Sequence, residues 1–203
     1  MLKLYYARNT RAERVAWLLE ELGLDYEIKK FSLGDPAMRG PDYLRIHPAG
    51  RVPALEEDGT VIHESGAIVQ YLLARHGRGR LVPPVEAPEF PQYLQWFHFC
   101  EGMIMPHVNI LVVETVLLPP ERRTERNVKR ATKLLNQMLD IVERHMEGRD
   151  YLAGDFSGAD IMTGHSVVVS RDLLGTDYAN RPNLAAYADR LLARPALQKA
   201  RSL

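Results

Sequence analysis

The chain has 203 residues, enough for one large or two small domains, and its 46% hydrophobic and 26% charged residues are ordinary for a soluble globular protein. Its 26 basic and 26 acidic side chains give a formal net charge of zero, so the composition gives no support to binding of nucleic acid or of an anionic membrane. The single cysteine excludes an internal disulfide and a Cys-x-x-Cys redox pair, and the seven histidines lack metal-ligand spacing, so we expect a metal-free cytoplasmic protein.

The first residues of the chain alternate strand and helix signals. Residues 2–6 are typical of a strand, and residues 10–23 carry apolar side chains at the spacing of an amphipathic helix. Gly23 stands where such a helix ends in a left-handed residue. Residues 25–31 predict a second strand. Because β-α-β connections cross over right-handed, the two strands are expected to be parallel.

A loop and a hairpin follow. Residues 34–50 form a loop punctuated by proline and glycine, with one helical turn near residues 43–46. Two short apolar runs then meet at Asp58 and Gly59, a residue pair typical of a two-residue β-hairpin. Residues 65–77 predict a helix. The order β-α-β-α-β-β-α predicts an N-terminal α/β domain with a thioredoxin-like fold.

Proline and glycine break the alternation at residues 78–90, which predicts a linker. No convincing strand follows, and five later segments have the period or the starting residue of a helix. They are residues 92–114, 121–147, 156–173, 182–194 and 195–202. Pro106 predicts a kink in the first of them. We therefore predict a thioredoxin-like domain at residues 1–77, the linker, and an all-helical C-terminal domain at residues 91–203.

Residues 156–173 have the best-defined start of these helices. Ser157 is a predicted N-cap, and Asp160 three residues later completes a capping box. Because the segment is apolar almost all round, it is predicted to be a buried central helix. The most apolar stretch of the chain, residues 109–120, is interrupted by Glu114 and is too short to span a bilayer.

Five segments, taken in order, resemble the cytosolic glutathione transferase family, and the resemblance spans essentially the whole chain. They are LLEELGLDYEI, HPAGRVPALEEDGTVIHESGAIVQYL, the linker, FSGADI and RPNLAAYADRLLARPALQKA. Bacterial members that carry Ser, Cys or a related residue after the first strand are the most similar. The resemblance implies a transferase that binds glutathione as co-substrate, ionises its thiol and acts as a symmetric homodimer.

Glutathione is an anion with two carboxylates, and helix N-termini favour anions. Glu64 and Ser65 stand at such a start, and the resemblance implies that they hold the γ-glutamyl end. It also implies a cis bond before Pro53 and a strand-like pairing between the Val52 backbone and the cysteinyl part of glutathione. Arg51 is a candidate for a bidentate contact with the glycyl carboxylate. Without the family, Ser65 is better explained as a helix cap and Arg51 as an exposed surface residue.

The thiol of glutathione has an ordinary pKa near ~8.5 and is mostly protonated at neutral pH, so a transferase must stabilise the thiolate. Thr10 lies at a helix start and aligns with the position where many relatives carry Ser or Cys. With Glu13 three residues later, it would also cap the helix by accepting the Glu13 N–H, and one hydroxyl can do both. Asn9, through its amide, and Tyr6, at the strand end, are the next candidates. Tyr5 and Tyr6 point to opposite faces, so at most one enters the site.

The second substrate is expected to be an apolar electrophile, in a site between the two domains along residues 92–114. That segment is aromatic and rich in methionine, which suits varied apolar ligands. The candidate lining residues are Trp96, Phe99, Met103, Met105 and His107. The alternative is that most of them belong to the core or to a subunit interface. Cys100, in the same segment, is expected to be an inert buried thiol.

The leading interpretation is a two-domain glutathione transferase with a role in detoxification. Its rival from another class is a non-catalytic glutathione-transferase-like binding or regulatory protein, which Thr10, in place of Ser or Cys, keeps open. A glutathione-dependent isomerase, dehalogenase or peroxidase would differ only in the pocket. The first domain has no cysteine, which disfavours a thiol-disulfide oxidoreductase.

Overall fold

The computed structural model describes all of residues 1–203 and places four short strands in one sheet. The strands are β1 (Leu2–Ala7), β2 (Tyr26–Phe31), β3 (Ala54–Glu57) and β4 (Thr60–His63). Their order is β2-β1-β3-β4, with β1 and β2 parallel, as the right-handed β-α-β connection predicts, and the other neighbours antiparallel. Asp58 and Gly59 join β3 to β4 with φ angles of 49° and 81°, the positive values that this kind of hairpin requires.

Three helices accompany this sheet. They are α1 (Ala12–Leu22), α2 (Pro41–Leu44) and α3 (Ser65–His76). Gly23 ends α1 in the left-handed region at φ 68°, as predicted. The short α2 begins earlier than predicted, because Pro41 supplies the φ of a first helical residue. The observed order confirms the thioredoxin-like arrangement.

Residues 83–191 form a second unit without a strand. Its helices are α4 (Phe90–Phe99), α5 (Met105–Val112), α6 (Glu125–His145), α7 (His165–Asp172) and α8 (Pro182–Leu192). A wider turn, with hydrogen bonds to the carbonyl five residues back, joins α4 to α5 at Cys100–Ile104, and a second one precedes α7 at Asp160–Gly164. The first ends two residues before Pro106, and turns of this kind are a recognised cause of bends in helices.

The helical run from Phe90 to Leu117 has 28 residues and is, by length and composition alone, apolar enough to cross a membrane. Its buried residues repeat at helical spacing and form one face in the core of the second unit. The apolar ones are Tyr93, Trp96, Phe97, Cys100, Ile104, Met105, Val108 and Leu111. Only 33% of its most apolar stretch is buried, so the run packs with one face and leaves the rest exposed.

One half of the predicted capping box forms at the start of the helical run that contains α7. The Ser157 hydroxyl accepts the Ala159 N–H at 3.3 Å, whereas the Asp160 N–H donates to the Ser157 carbonyl. The Asp160 carboxylate accepts hydrogen bonds from the N–H and the hydroxyl of Ser157, at 2.9 and 3.2 Å. The Leu152 N–H and the Tyr187 hydroxyl also donate to it, at 3.0 and 2.8 Å. The carboxylate is fully buried, and burial raises the pKa of Asp160 although these four donors act in the opposite direction.

The first unit is discontinuous, because it contains residues 1–82 together with residues 192–203. Its last helix, α9 (Pro195–Ser202), packs against α1. The predicted helical domain of residues 91–203 differs from this division in its final segment. Proximity along the chain suggested that the last helix belongs with the helices before it, whereas its contacts are with the first helix of the chain.

Two polar contacts accompany the packing of α9 on the first unit. The Arg194 guanidinium donates to both carboxylate oxygens of Glu21, at 2.6 and 2.8 Å. The Tyr6 hydroxyl donates to the Ala200 carbonyl at 2.9 Å. Because α1 contacts α9 as well as α3 and β1, it is buried on almost all sides. The buried surface of α1 is therefore larger than the single apolar face that the sequence pattern predicts.

Candidate functional site

The segment between β1 and α1 is held by the side chains of Thr10 and Glu13. Thr10 Oγ1 donates to the Ala7 carbonyl at 2.6 Å and accepts from the Ala12 N–H at 3.1 Å. The Glu13 carboxylate accepts from the Asn9 N–H at 2.7 Å. The predicted bond from the Glu13 N–H to the Thr10 hydroxyl is wrong, since that N–H donates to the Thr10 carbonyl at 3.1 Å. Both residues thus stabilise this helix start through other partners than those predicted.

Asn9 is half-buried and lies in the left-handed region with φ 59°, a conformation that asparagine tolerates better than most residues. Its backbone N–H is bound by Glu13, whereas its side-chain carboxamide makes no hydrogen bond within the chain. The side chain of Thr10, in contrast, is already used as a donor, because its only hydroxyl proton is donated to the Ala7 carbonyl. Of these two residues, Asn9 is therefore the one with uncommitted N–H groups.

Tyr5 and Tyr6 point to opposite faces of β1, as the alternation of a strand predicts. Tyr6 is 1% exposed, its hydroxyl is bound to Ala200, and burial raises its pKa. The Tyr5 hydroxyl donates to Glu56 at 3.0 Å, and burial, followed by this hydrogen bond, raises the pKa of Tyr5 to about 12. Both phenols are therefore buried, bonded within the chain and protonated at neutral pH.

Val52 and Pro53 lie directly before β3, and the peptide bond between them is cis, as the resemblance implies. Ala54 pairs with His63 of β4, so continuing this register places Val52 opposite the start of α3. The N–H and C=O of Val52 make no hydrogen bond within the chain. A free backbone edge of this kind can pair with an extended peptide. The neighbouring Arg51 is exposed.

Glu64 and Ser65 stand at the start of α3, as predicted. Glu64 is exposed, has φ 74°, and accepts the Ile68 N–H on its carbonyl at 2.9 Å. Ser65 is the first helical residue rather than a cap, and it is 2% exposed. Its Oγ accepts a hydrogen bond from Arg14 Nη1 at 3.1 Å, which joins the start of α3 to α1.

Three buried residues of this region were missed by sequence reasoning. Arg14 reads as a surface charge in the polar first turn of a helix, but it is fully buried. His47 is buried with its ring edge-on to His63, 4.8 Å between centroids, and burial, followed by the charge of His63, lowers the pKa of His47. Gly50 has φ 57°, and a Cβ there would lie 2.5 Å from the Met38 carbonyl oxygen. Only the loop motif HPAG, with its glycine, pointed to this turn.

The five candidate lining residues of the second unit differ in exposure. Trp96 and Met105 are buried in the core of that unit, at 2% and 5% exposure. Phe99 and His107 are half-buried, and Met103 is 42% exposed. The alternative of core packing is therefore confirmed for Trp96 and Met105, and Met103 is the most accessible of the five residues.

Two family models match the chain. Residues 1–74 match the model described as "Glutathione S-transferase, N-terminal domain", and residues 104–195 match "Glutathione S-transferase, C-terminal domain". The first match covers β1 to α3, including the segments around Thr10, Val52 and Ser65 described above.

Individual relatives give the same result. "Glutathione S-transferase 4" of Zea mays is 31% identical over 206 residues, 96% of this chain and 88% of that protein. A solved glutathione transferase from Methylococcus capsulatus is 31% identical, with a TM-score of 0.85 over 100% of this chain and 98% of the other. A glutathione transferase from Pseudomonas putida is 27% identical, with a TM-score of 0.85 over 100% and 91% of the two chains, and binds one glutathione disulfide per subunit.

Proposed function

The chain belongs to the glutathione S-transferase family and is a glutathione transferase, and on this premise we propose how it binds glutathione. The cysteinyl backbone pairs with the N–H and C=O of Val52, the γ-glutamyl end binds at Glu64 and Ser65, and the Arg51 guanidinium binds the glycyl carboxylate. The observation that carries this proposal is the free backbone of Val52 opposite the start of α3. Strand-like pairing supplies affinity, and the helix start favours the carboxylate. Glutathione is thus assigned to the domain predicted at residues 1–77.

Activation of the thiol is assigned first to Asn9, ahead of Thr10 and Tyr6. A thiolate needs a donor that is not already used, and the carboxamide of Asn9 is free whereas the Thr10 proton is bonded to Ala7. Tyr6 is bonded to Ala200 and buried. A hydrogen bond to a charged group contributes about 1.5–3 kcal/mol, equivalent to one to two pKa units. Thr10 then has the different task of holding the loop that presents Asn9.

The experiment that tests this assignment is an ultraviolet difference titration of bound glutathione, which follows thiolate absorbance across pH. Asn9→Gly is the variant of choice, because glycine adopts a positive φ without strain and removes only the amide. We expect a lowered thiol pKa on the wild type and a pKa about one to two units higher on Asn9→Gly. Equal values on both proteins would exclude Asn9 as the donor. An unshifted thiol on the wild type would favour the non-catalytic binding protein.

The electrophile is proposed to be an apolar molecule, which would give the enzyme a role in detoxification. Met103 is the residue most suited to contact it, since its flexible thioether is exposed at 42%. Phe99 and His107 are secondary candidates. Met103→Ala is expected to raise KM for a chromogenic chloronitrobenzene without changing KM for glutathione. A matching change in both constants would contradict this role.

The protein is also proposed to be a homodimer, as the family resemblance implies. Exposed apolar residues in one short stretch support this, because monomeric proteins rarely expose contiguous apolar patches. Ile110, Val113, Val116 and Leu117 are each more than 40% exposed. Sedimentation equilibrium should find a dimer for the wild type and a monomer for Val113→Glu. Val85→Glu, at another exposed valine, is the control and should remain dimeric; a dimer for both variants would exclude this patch.

A cytoplasmic location is proposed from the chemistry of the cysteine. Cys100 is fully buried, its thiol donates to the Phe97 carbonyl at 3.4 Å, and the chain has no second cysteine with which to form a disulfide. A chain without disulfides fits a reducing compartment, where glutathione is also kept reduced. Fractionation of cells that express the native chain, followed by immunoblotting, tests this location.

A further inference from the structure

Arg14 is a fully buried arginine in the first turn of α1, and it reaches the proposed γ-glutamyl site. Arginine is almost never fully buried unless its charge is compensated, so its position demands a reason. Its Nη1 lies 3.1 Å from Ser65 Oγ, and Ser65 is itself 2% exposed. The contact joins the starts of two helices that are 51 residues apart in sequence.

We propose that Arg14 is a positioning residue for glutathione, acting through Ser65; this inference rests on the proposed function. A guanidinium has donors only, whereas a hydroxyl has one proton and two lone pairs. In this contact Ser65 Oγ must therefore be the acceptor, and its own proton remains available for another acceptor. Arg14 thereby sets the direction of the hydroxyl, so that Ser65 donates to the γ-glutamyl carboxylate.

The charge of Arg14 strengthens this arrangement. A hydroxyl that accepts from a cation is polarised and becomes a better donor, and the effect is larger in a buried site of low dielectric constant. The carboxylate is also attracted by the N-terminus of α3. A neutral residue at position 14 would leave Ser65 free to turn its proton toward the protein. Loss of one charge-assisted bond of this kind corresponds to roughly 10- to 100-fold weaker binding.

The test compares two ligands on each protein. Glutathione has the γ-glutamyl carboxylate, and 4-aminobutyryl-cysteinyl-glycine lacks it but is otherwise the same peptide. Calorimetry should show that Arg14→Met weakens binding of glutathione about 10- to 100-fold while binding of the analogue changes little. In the steady state, the loss should appear mainly in KM for glutathione. Arg14→Lys, which keeps a cation and a donor, should restore part of the affinity for glutathione only.

A double-mutant cycle separates this role from a merely structural one. Ser65→Ala removes the same hydrogen bond from the other side, so Arg14→Met combined with Ser65→Ala should lose no more affinity than Ser65→Ala alone. Additive losses, or equal losses for both ligands, would overturn the inference. If Arg14→Met does not fold, Arg14→Lys carries the same two-ligand comparison and the same cycle with Ser65→Ala. A wild type that binds neither ligand would contradict the proposed function itself, which is a different outcome.

Discussion

Replacing Thr10 with valine separates the two roles that a hydroxyl can have at the start of α1. Valine has nearly the same shape but lacks the proton that is donated to Ala7 and the lone pair that accepts the Ala12 N–H. Hydrogen bonds of this kind contribute about 0.5–1.5 kcal/mol each, so Thr10→Val is expected to lower the free energy of unfolding by about 1–3 kcal/mol. Because Asn9 is the proposed donor, the pKa of the bound thiol should remain at its wild-type value.

Both quantities are measured on the same preparations. Urea unfolding followed by circular dichroism gives the free energy, and ultraviolet titration of bound glutathione gives the thiol pKa. Thr10→Ser is the matched control, since it keeps the hydroxyl and should resemble the wild type in both assays. A thiol pKa that rises in Thr10→Val but not in Thr10→Ser would identify Thr10 as the thiolate donor and refute this reasoning.

Three further predictions concern the framework around the site. Gly50→Ala should lower the free energy of unfolding by roughly 2–5 kcal/mol, because the backbone is left-handed and the new Cβ would clash with the Met38 carbonyl. Gly23→Ala is also left-handed but has open space around it, so it should lower the free energy of unfolding by only about 1–2 kcal/mol. Equal decreases for the two variants in urea unfolding would contradict the clash at residue 50. Asp160→Asn turns an NH₂ group toward two of the four donors and should lower the free energy of unfolding in urea by roughly 3–5 kcal/mol. Tyr187→Phe removes only one of these donors and should lower it by about 1–2 kcal/mol. A smaller decrease for Asp160→Asn than for Tyr187→Phe would contradict this hydrogen-bond network. The lowered pKa of His47 favours its neutral form in the folded chain, so its contribution to stability is complete above the unfolded-state pKa of ~6.5 and is lost as pH falls below that value. His47→Asn cannot titrate and should show a flatter stability profile in this range, and profiles that run parallel would exclude His47 as the source.

The elements of this fold were predictable where one residue type has a narrow conformational use. Gly23 ends α1, Asp58 and Gly59 turn the hairpin, and Ser157 with Asp160 opens a helical run, each as expected from local chemistry. These signals act over a few residues and do not depend on the rest of the chain. The fold and the order of its elements could therefore be predicted from the sequence.

The roles of side chains around the site depend on partners that no local pattern specifies. The sequence favours Thr10 over Asn9, because Thr10 lies at a helix start and aligns with the position where many relatives carry Ser or Cys, but the Ala7 carbonyl takes its proton. Arg14 has the sequence context of an exposed charge, and its burial follows from elements that pack against α1 from distant parts of the chain. Sequence reasoning therefore identified the loop and the helix starts, but not the hydrogen-bond partners of the polar side chains in them.

The contact of α9 with the first unit has a consequence for how this enzyme is synthesised. The strand that carries Tyr6 is synthesised long before its partner, since the carbonyl that binds the Tyr6 hydroxyl belongs to Ala200, 194 residues later. Contacts of such large sequence separation close slowly, because the intervening chain must first be brought together. A nascent chain therefore exposes the α1 surface that α9 will cover until residues 195–202 have been made. The unit to which we assign glutathione is therefore completed only after all of residues 83–191 have been made.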